Sequence, residues 1–231
     1  MPEFINRLSC SSCHWKIPLF NHLTDDELCM MDANRHEVSF NAGEIILKQG
    51  APLTHIVCLT KGSANIYIEG LRKRKLILRI LKPTEIASGP GLFVDNKLHY
   101  SVRAITDCYA CLIDIEAFNK TIIRNNQFAF ELLRMINKQM IENFDRMVTL
   151  TMKQMPGRLA ETLLYLSNHV YGTDSFHTEL SRQDIADLSA MTKESAIRII
   201  KEFKDSGILA VEGLDFSILN KEKLISISIT G

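Results

Sequence analysis

Short apolar runs that alternate with turn residues occupy the first half of the chain. Seven of these runs lie between about His36 and Ile115, separated by turn signals such as Asn41-Ala42-Gly43 and Lys61-Gly62. The predicted strands are Glu37–Phe40, Glu44–Leu47, His55–Leu59, Ala64–Ile68, Lys75–Leu81, Ser101–Ile105 and Tyr109–Ile113. Many short strands at regular spacing, joined by glycine-rich turns, are typical of a β-sandwich or barrel.

The pattern becomes helical from Ile115 to Met155, where no Gly or Pro occurs. Within this stretch, residues that are apolar with one exception recur at alternating steps of three and four, which is the spacing of a coiled-coil seam. The seam consists of Leu133, Ile136, Met140, Asn143, Met147 and Leu150. Asn143 is its one polar member, and a single polar residue of this kind often fixes register and partner number. The pattern predicts dimerisation through this helix; the alternative is a long helix packed on its own β-domain.

The segment from Ser181 to Lys201 predicts two short helices joined by a turn. Ser181 is a good N-cap, and Asp184 three residues later makes a weak capping box. Thr192 caps the second helix after the turn Ser189-Ala190-Met191. Taken alone, the pair could equally be a plain helical hairpin with a solvated polar face.

Two strand-like runs, Ile208–Val211 and Phe216–Leu219, follow the second helix and predict a wing. Helix, turn, helix and wing together are much more specific than any one part, and they indicate a DNA-binding domain. Arg198 can donate two bonds to guanine and Glu194 can accept from cytosine N4. The predicted DNA-binding residues are Lys193, Glu194, Ser195, Arg198, Thr192, Ser181, Arg182 and Gln183, of which Lys193, Ser181, Arg182 and Gln183 suit phosphate contacts.

Composition agrees with a globular protein. The 231 residues are 46% hydrophobic and 23% charged, with zero formal net charge, which argues against coating nucleic acid by bulk electrostatics. No run reaches the ~20 apolar residues of a membrane span, and Met1–Lys16 lacks a signal-peptide core. We therefore expect a cytoplasmic protein without membrane contact, whose six cysteines form no structural disulfide. Residues 156–231 carry 8 Lys and Arg against 11 Asp and Glu, so DNA binding would depend on a few well-placed cations.

These patterns predict an α+β chain of three parts. Residues 1–115 form an N-terminal segment and a β-sandwich or barrel domain, residues 116–155 a helical linker with the dimerisation helix, and residues 156–231 a winged helix-turn-helix domain.

The sequence resembles the CRP/FNR superfamily of bacterial transcription regulators over nearly its whole length. The resemblance lies in the glycines flanking Glu44–Leu47, in Lys61-Gly62, in Gly157–Leu164, in Arg182–Ala186, and in Lys193-Glu194 with Arg198. It implies that residues 1–115 contain a cyclic-nucleotide-binding-like β-roll sensor domain, a double-stranded β-helix or jelly roll. It also implies a dimer helix, a winged helix that reads pseudo-palindromic double-stranded DNA, and RNA polymerase as a partner. In the turn, Ala190 stands where the family usually has Gly, so a non-glycine residue with positive φ is expected.

The resemblance does not by itself say which signal the β-roll would sense. Where cyclic-AMP binders carry Arg-Ser, this chain has Leu98-His99, so cyclic AMP binding is not expected. Cys10 and Cys13, with Cys111, match cysteines of FNR-like iron–sulfur sensors, whose remaining N-terminal cysteine is absent here. Cys29 or His14 could supply a fourth ligand to an iron–sulfur cluster or to zinc. The alternative is ordinary thiols, and Cys58 and Cys108 are interpreted as packing residues.

The sequence therefore predicts a homodimeric DNA-binding transcription regulator and not an enzyme. A signal at the β-roll would shift the dimer helix and with it the DNA-reading helices. Two alternatives stay open. One is a winged-helix protein-interaction module without specific DNA binding, and the other is a metal-dependent enzyme on the β-roll, for which the chain lacks a His-x-His pair.

Overall fold

The computed structural model describes residues 9–71, 74–87 and 89–231. Its contacts divide into two compact units, residues 1–66 with 81–139 and residues 67–80 with 140–231. The hairpin segment 67–80 thus groups with the C-terminal residues. The domain boundaries at 115 and 155 stay a prediction.

Eight short strands form the β-roll, which confirms the predicted fold class. They are β1 (Arg35–Phe40), β2 (Ile45–Leu47), β3 (His55–Lys61), β4 (Ala64–Glu69), β5 (Lys75–Leu81), β6 (Ile86–Ala87), β7 (Ser101–Ala104) and β8 (Cys108–Asp114). Two four-stranded sheets result, ordered β1-β8-β3-β6 and β2-β7-β4-β5. In the first sheet β8 pairs antiparallel with β1 and β3, and Cys58 lies opposite Cys111. The two-residue strand β6 is too short to leave a pattern in the sequence.

Three helices flank the first sheet: α1 (Asp25–Ala33), α2 (Ile115–Arg124) and the first turns of α3 (Asn126–Met152). The core beneath them includes Ile56, Ile113, Phe118 and Phe128. The rings of Phe118 and Phe128 meet edge to face, with centroids 5.6 Å apart. This arrangement is favourable for aromatic pairs, and it fixes the start of α3 on the sheet.

The predicted helical stretch is two helices because Asn125 interrupts it. The backbone of Asn125 is extended, and its side-chain Oδ1 accepts from the amide of Phe128 at 2.9 Å, which caps α3. Its Nδ2 donates to Glu27 Oε2 at 2.8 Å and to the His22 carbonyl at 3.0 Å. These bonds engage both the oxygen and the nitrogen of the side-chain amide and hold Asn125 in its extended conformation. Helix α2 therefore ends before Asn125, and a new helix starts at Asn126.

The C-terminal unit is built from helices and a small sheet. It contains α4 (Met155–Tyr165), which continues as a π-helical turn over Leu166–Tyr171, then β9 (Ser175–His177), α5 (Arg182–Leu188), α6 (Lys193–Asp205), β10 (Leu209–Glu212), β11 (Asp215–Ile218) and α7 (Lys221–Thr230). The strands are ordered β10-β11-β9, so β9 adds a third strand to the wing hairpin. Across the described part of the chain, no helix combines the length and apolarity needed to cross a membrane.

Candidate functional site

The helix-turn-helix begins with a complete capping box. The amide of Asp184 donates to Ser181 Oγ at 3.1 Å, and the amide of Ser181 donates to Asp184 Oδ2 at 3.0 Å. Asp184 is buried, so the box is part of the packed interior and not an exposed helix end. This confirms the predicted start of α5 at Ser181.

The turn between α5 and α6 has the backbone that the sequence predicts. Ala190 adopts φ of 49°, in the left-handed region where a residue with Cβ costs roughly 1 kcal/mol. The amide of Met191 donates to the Ala186 carbonyl at 3.0 Å. The buried hydroxyl of Ser189 donates to Thr162 Oγ1 at 2.9 Å, and this bond ties the turn to α4. These contacts hold Ala190 in a conformation that glycine would adopt without strain.

The second helix, α6, has one buried and one exposed face. Thr192 accepts from the amide of Ser195 at 3.2 Å and caps the helix as predicted. The buried face consists of Ala196, Ile199, Ile200 and Phe203. On the other face Lys193, Glu194 and Arg198 are exposed near the helix N-terminus. This arrangement leaves the residues predicted to read bases accessible to a ligand as large as a DNA duplex.

Two intrahelical contacts orient the polar face of α6. Arg198 Nη1 bonds Glu202 Oε1 at 2.5 Å, an exposed i,i+4 pair. The carboxyl pKa of Glu194 is lowered because it accepts from its own backbone amide and from Thr192. Glu194 therefore stays ionised and an acceptor, as contact to a cytosine amino group requires.

Arg182 is held by the wing. Its Nη2 donates to the Gly213 carbonyl at 2.6 Å, and its guanidinium lies over the Phe216 ring, 4.7 Å from the centroid. Burial lowers the pKa of Arg182, and its Nη1 is buried without a hydrogen-bond partner. Gln183 Nε2 donates to Asp187 at 2.7 Å. Arg182 thus positions the wing against α5, a role that the sequence does not indicate, while its phosphate contact stays a prediction.

The predicted seam of α3 is largely exposed in the single chain. Leu133, Ile136, Met140 and Met147 are 41–61% exposed, Asn143 is exposed, and Leu150 is half-buried. Further exposed apolar residues on the same helix are Phe130, Ile141, Phe144, Val148 and Met152. These exposed apolar residues extend along much of a helix of 27 residues, which is about 40 Å long. Single apolar residues are normal on a protein surface, whereas a row of this length is typical of an interaction site.

A second candidate site is a small pocket in the N-terminal unit lined by four cysteines. Cys10 and Cys13 reach it from the N-terminal segment, Cys58 from β3 and Cys111 from β8. Its volume of about 30 Å³ is room for roughly two water molecules. The structure thus places Cys58, which the sequence analysis interprets as a packing residue, in the same pocket as three of the predicted ligands. The signal that could have shown this is strand register, because Cys58 and Cys111 lie directly opposite on paired strands.

Arg35 is the only guanidinium among the residues described as lining this pocket. It is buried, with Nη1 3.3 Å from Cys111 Sγ and Nε 2.6 Å from Asp32 Oδ1. Burial raises the pKa of the Cys10 thiol to about 12 and also raises the pKa values of Cys58 and Cys111. The three thiols are therefore protonated at neutral pH.

The other predicted ligands lie elsewhere. Cys29 is exposed on α1, and neither Cys29 nor His14 lines the pocket. Among the residues that the structure describes, no group of three or more His, Cys, Asp or Glu is placed to hold a metal ion. The donor chemistry of the pocket fits a thiophilic metal, but the present spacing of the sulfurs does not form its ligand shell.

Leu98, which the family resemblance predicts to stand where cyclic-AMP binders carry arginine, lies in the packed interior. Leu98 is buried, and a Cβ added to Gly89 would meet the Leu98 and Leu53 side chains at 3.3–3.5 Å. The next residue, His99, is exposed and pairs with Asp95 at 3.1 Å. The two leucines thus pack against Gly89 without offering a cation to a phosphate.

The geometry defines a β-roll followed by a long helix and a winged helix-turn-helix, and comparison with known proteins agrees. A cyclic nucleotide-binding domain model matches residues 37–125, and a Crp-like helix-turn-helix domain model matches residues 157–227. A CRP-like cAMP-activated global transcriptional regulator of Mycobacterium tuberculosis is 21% identical over 211 residues, covering 89% of this chain and 94% of the relative. The transcriptional activator protein Anr of Pseudomonas protegens is 22% identical over 235 residues, covering 96% and 93%.

Among solved structures, FixK2 from Bradyrhizobium japonicum superposes with a TM-score of 0.77 at 22% identity, covering 85% of this chain and 98% of that one. At this identity the likeness shows the fold. Together with the two domain matches, it shows that the chain belongs to the CRP/FNR superfamily of transcription regulators, as the sequence motifs predict.

Proposed function

We propose that the protein is a homodimeric transcription regulator that binds a pseudo-palindromic DNA site through the exposed face of α6. The observation that carries this proposal is the accessibility of Glu194 and Arg198 beside the capped N-terminus of α6. An ionised carboxylate and a guanidinium next to each other can read a cytosine and a guanine in the major groove. RNA polymerase is the expected protein partner, by resemblance to the family.

Arg198→Ala tests the reading role directly. We expect specific affinity to fall by about 1–3 kcal/mol and the preference at one base position of each half-site to relax. Binding sites selected from a random duplex library, for wild type and variant, measure both effects. Lys223→Ala is the control, because it removes the same charge from α7, outside the helix-turn-helix. An unchanged preference in Arg198→Ala would refute the role.

The same binding curves separate DNA binding from the protein-interaction alternative. A protein that contacts several phosphates of a duplex releases the counterions bound to the DNA. The logarithm of Kd should therefore rise steeply with the logarithm of the salt concentration. Residues 156–231 carry only 8 Lys and Arg, so we expect tight DNA binding to require the cations of both protomers of a dimer. A complex with a protein partner that is insensitive to salt, in a chain that selects no DNA sequence, would favour the alternative.

A second copy of the chain is the proposed partner of the α3 seam. Pairing of two such helices would cover Leu133, Ile136 and Met140 and bring Asn143 against its counterpart. Sedimentation velocity should show a dimer for wild type and a monomer for Met140→Asp. Ile123→Asp is the control, because Ile123 is equally apolar and 71% exposed but lies on α2. A dimer that survives Met140→Asp would place the interface elsewhere.

For the signal, we propose that the cysteine-lined pocket and not a cyclic nucleotide site is the sensor. Convergence of Cys10, Cys13, Cys58 and Cys111 on one pocket supports it, and these residues would hold the metal after their sulfurs move closer together than they are now. A bound zinc ion or iron–sulfur cluster would supply the positive charge that lets thiols of raised pKa ionise. Buried Leu98 argues against cyclic phosphate, so calorimetric titration with cyclic AMP should show no heat of binding.

Metal content and absorption spectra of protein purified without oxygen test the sensor. We expect metal in the wild type, loss in Cys58→Ser and Cys111→Ser, and retention in Cys29→Ser. Wild-type protein without metal would overturn the proposal. Loss of metal in Cys29→Ser but not in Cys58→Ser would restore the ligand set that the sequence suggested.

A further inference from the structure

One exposed apolar residue stands among the polar residues of the α6 surface. Ile197 is 45% exposed, although the buried face of the helix is made by Ala196, Ile199 and Ile200. At about 100° per residue, Ile197 lies roughly 60° around the helix axis from Glu194 and about 100° from Arg198. It therefore belongs to the same surface as the two residues proposed to read bases.

Neither helix stability nor core packing accounts for an isoleucine here. A β-branched side chain is stiff in a helix and has a lower helix propensity than the Ala, Lys or Arg that suit exposed positions. Its neighbours four residues before and after it, Lys193 and Lys201, are exposed cations, and Glu194 three residues before it is an exposed carboxylate. A surface with cations around one apolar side chain is complementary to a major groove, where phosphates flank the base edges and thymine exposes a methyl group.

We propose that Ile197 reads a thymine through its C5-methyl group, one base per half-site. The proposal rests on the proposed DNA binding of α6 and adds a specificity determinant to it. An isoleucine gives no hydrogen bond, so it discriminates by apolar contact with the methyl group and not by donor and acceptor pattern. The contacted base should lie next to the pair read by Glu194 and Arg198.

Deoxyuridine is a sharp probe because it differs from thymidine only in lacking this methyl group. Each thymine of the selected wild-type site is replaced in turn by deoxyuridine, symmetrically in both half-sites, and Kd is measured by fluorescence anisotropy at fixed salt. One replacement, made in both half-sites, should raise the wild-type Kd by roughly 16-fold, which is about fourfold for each buried methyl group. The same replacement should change the Kd of Ile197→Ala by less than about 1.5-fold.

Controls separate the possible failures. Ile197→Val should keep most of the methyl preference, and Leu214→Ala, which removes a 38% exposed apolar side chain on the wing, should keep all of it. If wild type binds its site but tolerates deoxyuridine everywhere, or if Ile197→Ala keeps the full penalty, the role of Ile197 is wrong while DNA binding stands. If no sequence is selected at all, both proposals fail.

Discussion

Arg146 makes a contact that only the folded C-terminal unit can supply. This residue of α3 donates from Nη2 to the Ile77 carbonyl at 2.7 Å and also to the Leu188 carbonyl. One guanidinium thus joins strand β5 of the hairpin, the long helix and the last turn of α5. Beside it the amide of Ile80 donates to Tyr165 Oη at 3.0 Å, a second bond from the hairpin to α4.

Arg146→Met keeps most of the apolar stem and removes the donors. Each hydrogen bond from a charged donor contributes about 1.5–3 kcal/mol. Part of the sum is offset because the variant no longer buries a charge, whose Nε lacks a partner and whose pKa burial already lowers. We expect a net loss of about 2–4 kcal/mol in the stability of the C-terminal unit, because both carbonyls lose the charged donor that Arg146 supplies.

Urea unfolding followed by circular dichroism measures this loss. With a slope of about 2 kcal/mol per molar urea, the transition of the C-terminal unit should move down by roughly 1–2 M. Hydrogen exchange should also speed up at the Ile80 amide, because Arg146 no longer holds β5 in place. Arg134→Met is the matched control, since Arg134 is an exposed arginine of the same helix, paired with Glu131 at 3.4 Å. If both variants unfold at the wild-type midpoint, the reasoning from the two carbonyl contacts is wrong.

Three further predictions follow from single contacts. Gly62→Ala should destabilise the β-roll by more than ~1 kcal/mol, the cost of a side chain at its positive φ of 83°, because the added Cβ would also collide with the Asp107 carbonyl. Urea unfolding measures this loss, and a loss below ~1 kcal/mol would contradict the collision. Bonding to Asp215 raises the pKa of exposed His177, so its contribution to stability is present below the unfolded pKa and is lost as pH rises through the higher folded pKa. The wild-type urea midpoint should therefore fall from pH 6 to pH 8 by more than that of His177→Gln, and parallel profiles would refute this. In Ellman's assay, exposed Cys29 should react at once and fully buried Cys108, whose pKa burial raises, only on unfolding; fast reaction of Cys108 would mean that β8 opens.

The sequence predicted the elements whose pattern is local. Seven strands of the β-roll, the two helices of the helix-turn-helix and the caps at Ser181 and Thr192 each leave a periodicity or a capping residue in the chain. The positive φ of Ala190 was also predictable, because the family comparison shows where the turn needs it.

Elements without a local pattern were missed. Helix α7 contains Ile225, Ile227 and Ile229 in alternation with serines, a period of two that is typical of a strand. Its helical state is decided by tertiary contact with α4, where a Cβ on Gly157 would collide with the backbone of Gly231. The helix break at Asn125 was also missed, although asparagine is a common N-cap; the contact that fixes the other end of its side-chain amide is with Glu27, nearly a hundred residues away.

The candidate sites show the same division. Exposure of Glu194 and Arg198 follows from helical period, so it could be predicted, whereas Cys58 joins the other thiols only through the pairing of β3 with β8. The wing contact of Arg182 likewise needs Gly213 and Phe216 to be folded beside it. The side chain of Arg182, which the sequence predicts to touch phosphate, also holds the wing against α5. We therefore expect the cations of α6 to carry most of the proposed DNA recognition. In the proposed complex, DNA affinity should then depend more on Lys193, Arg198 and dimerisation than the count of basic residues suggests.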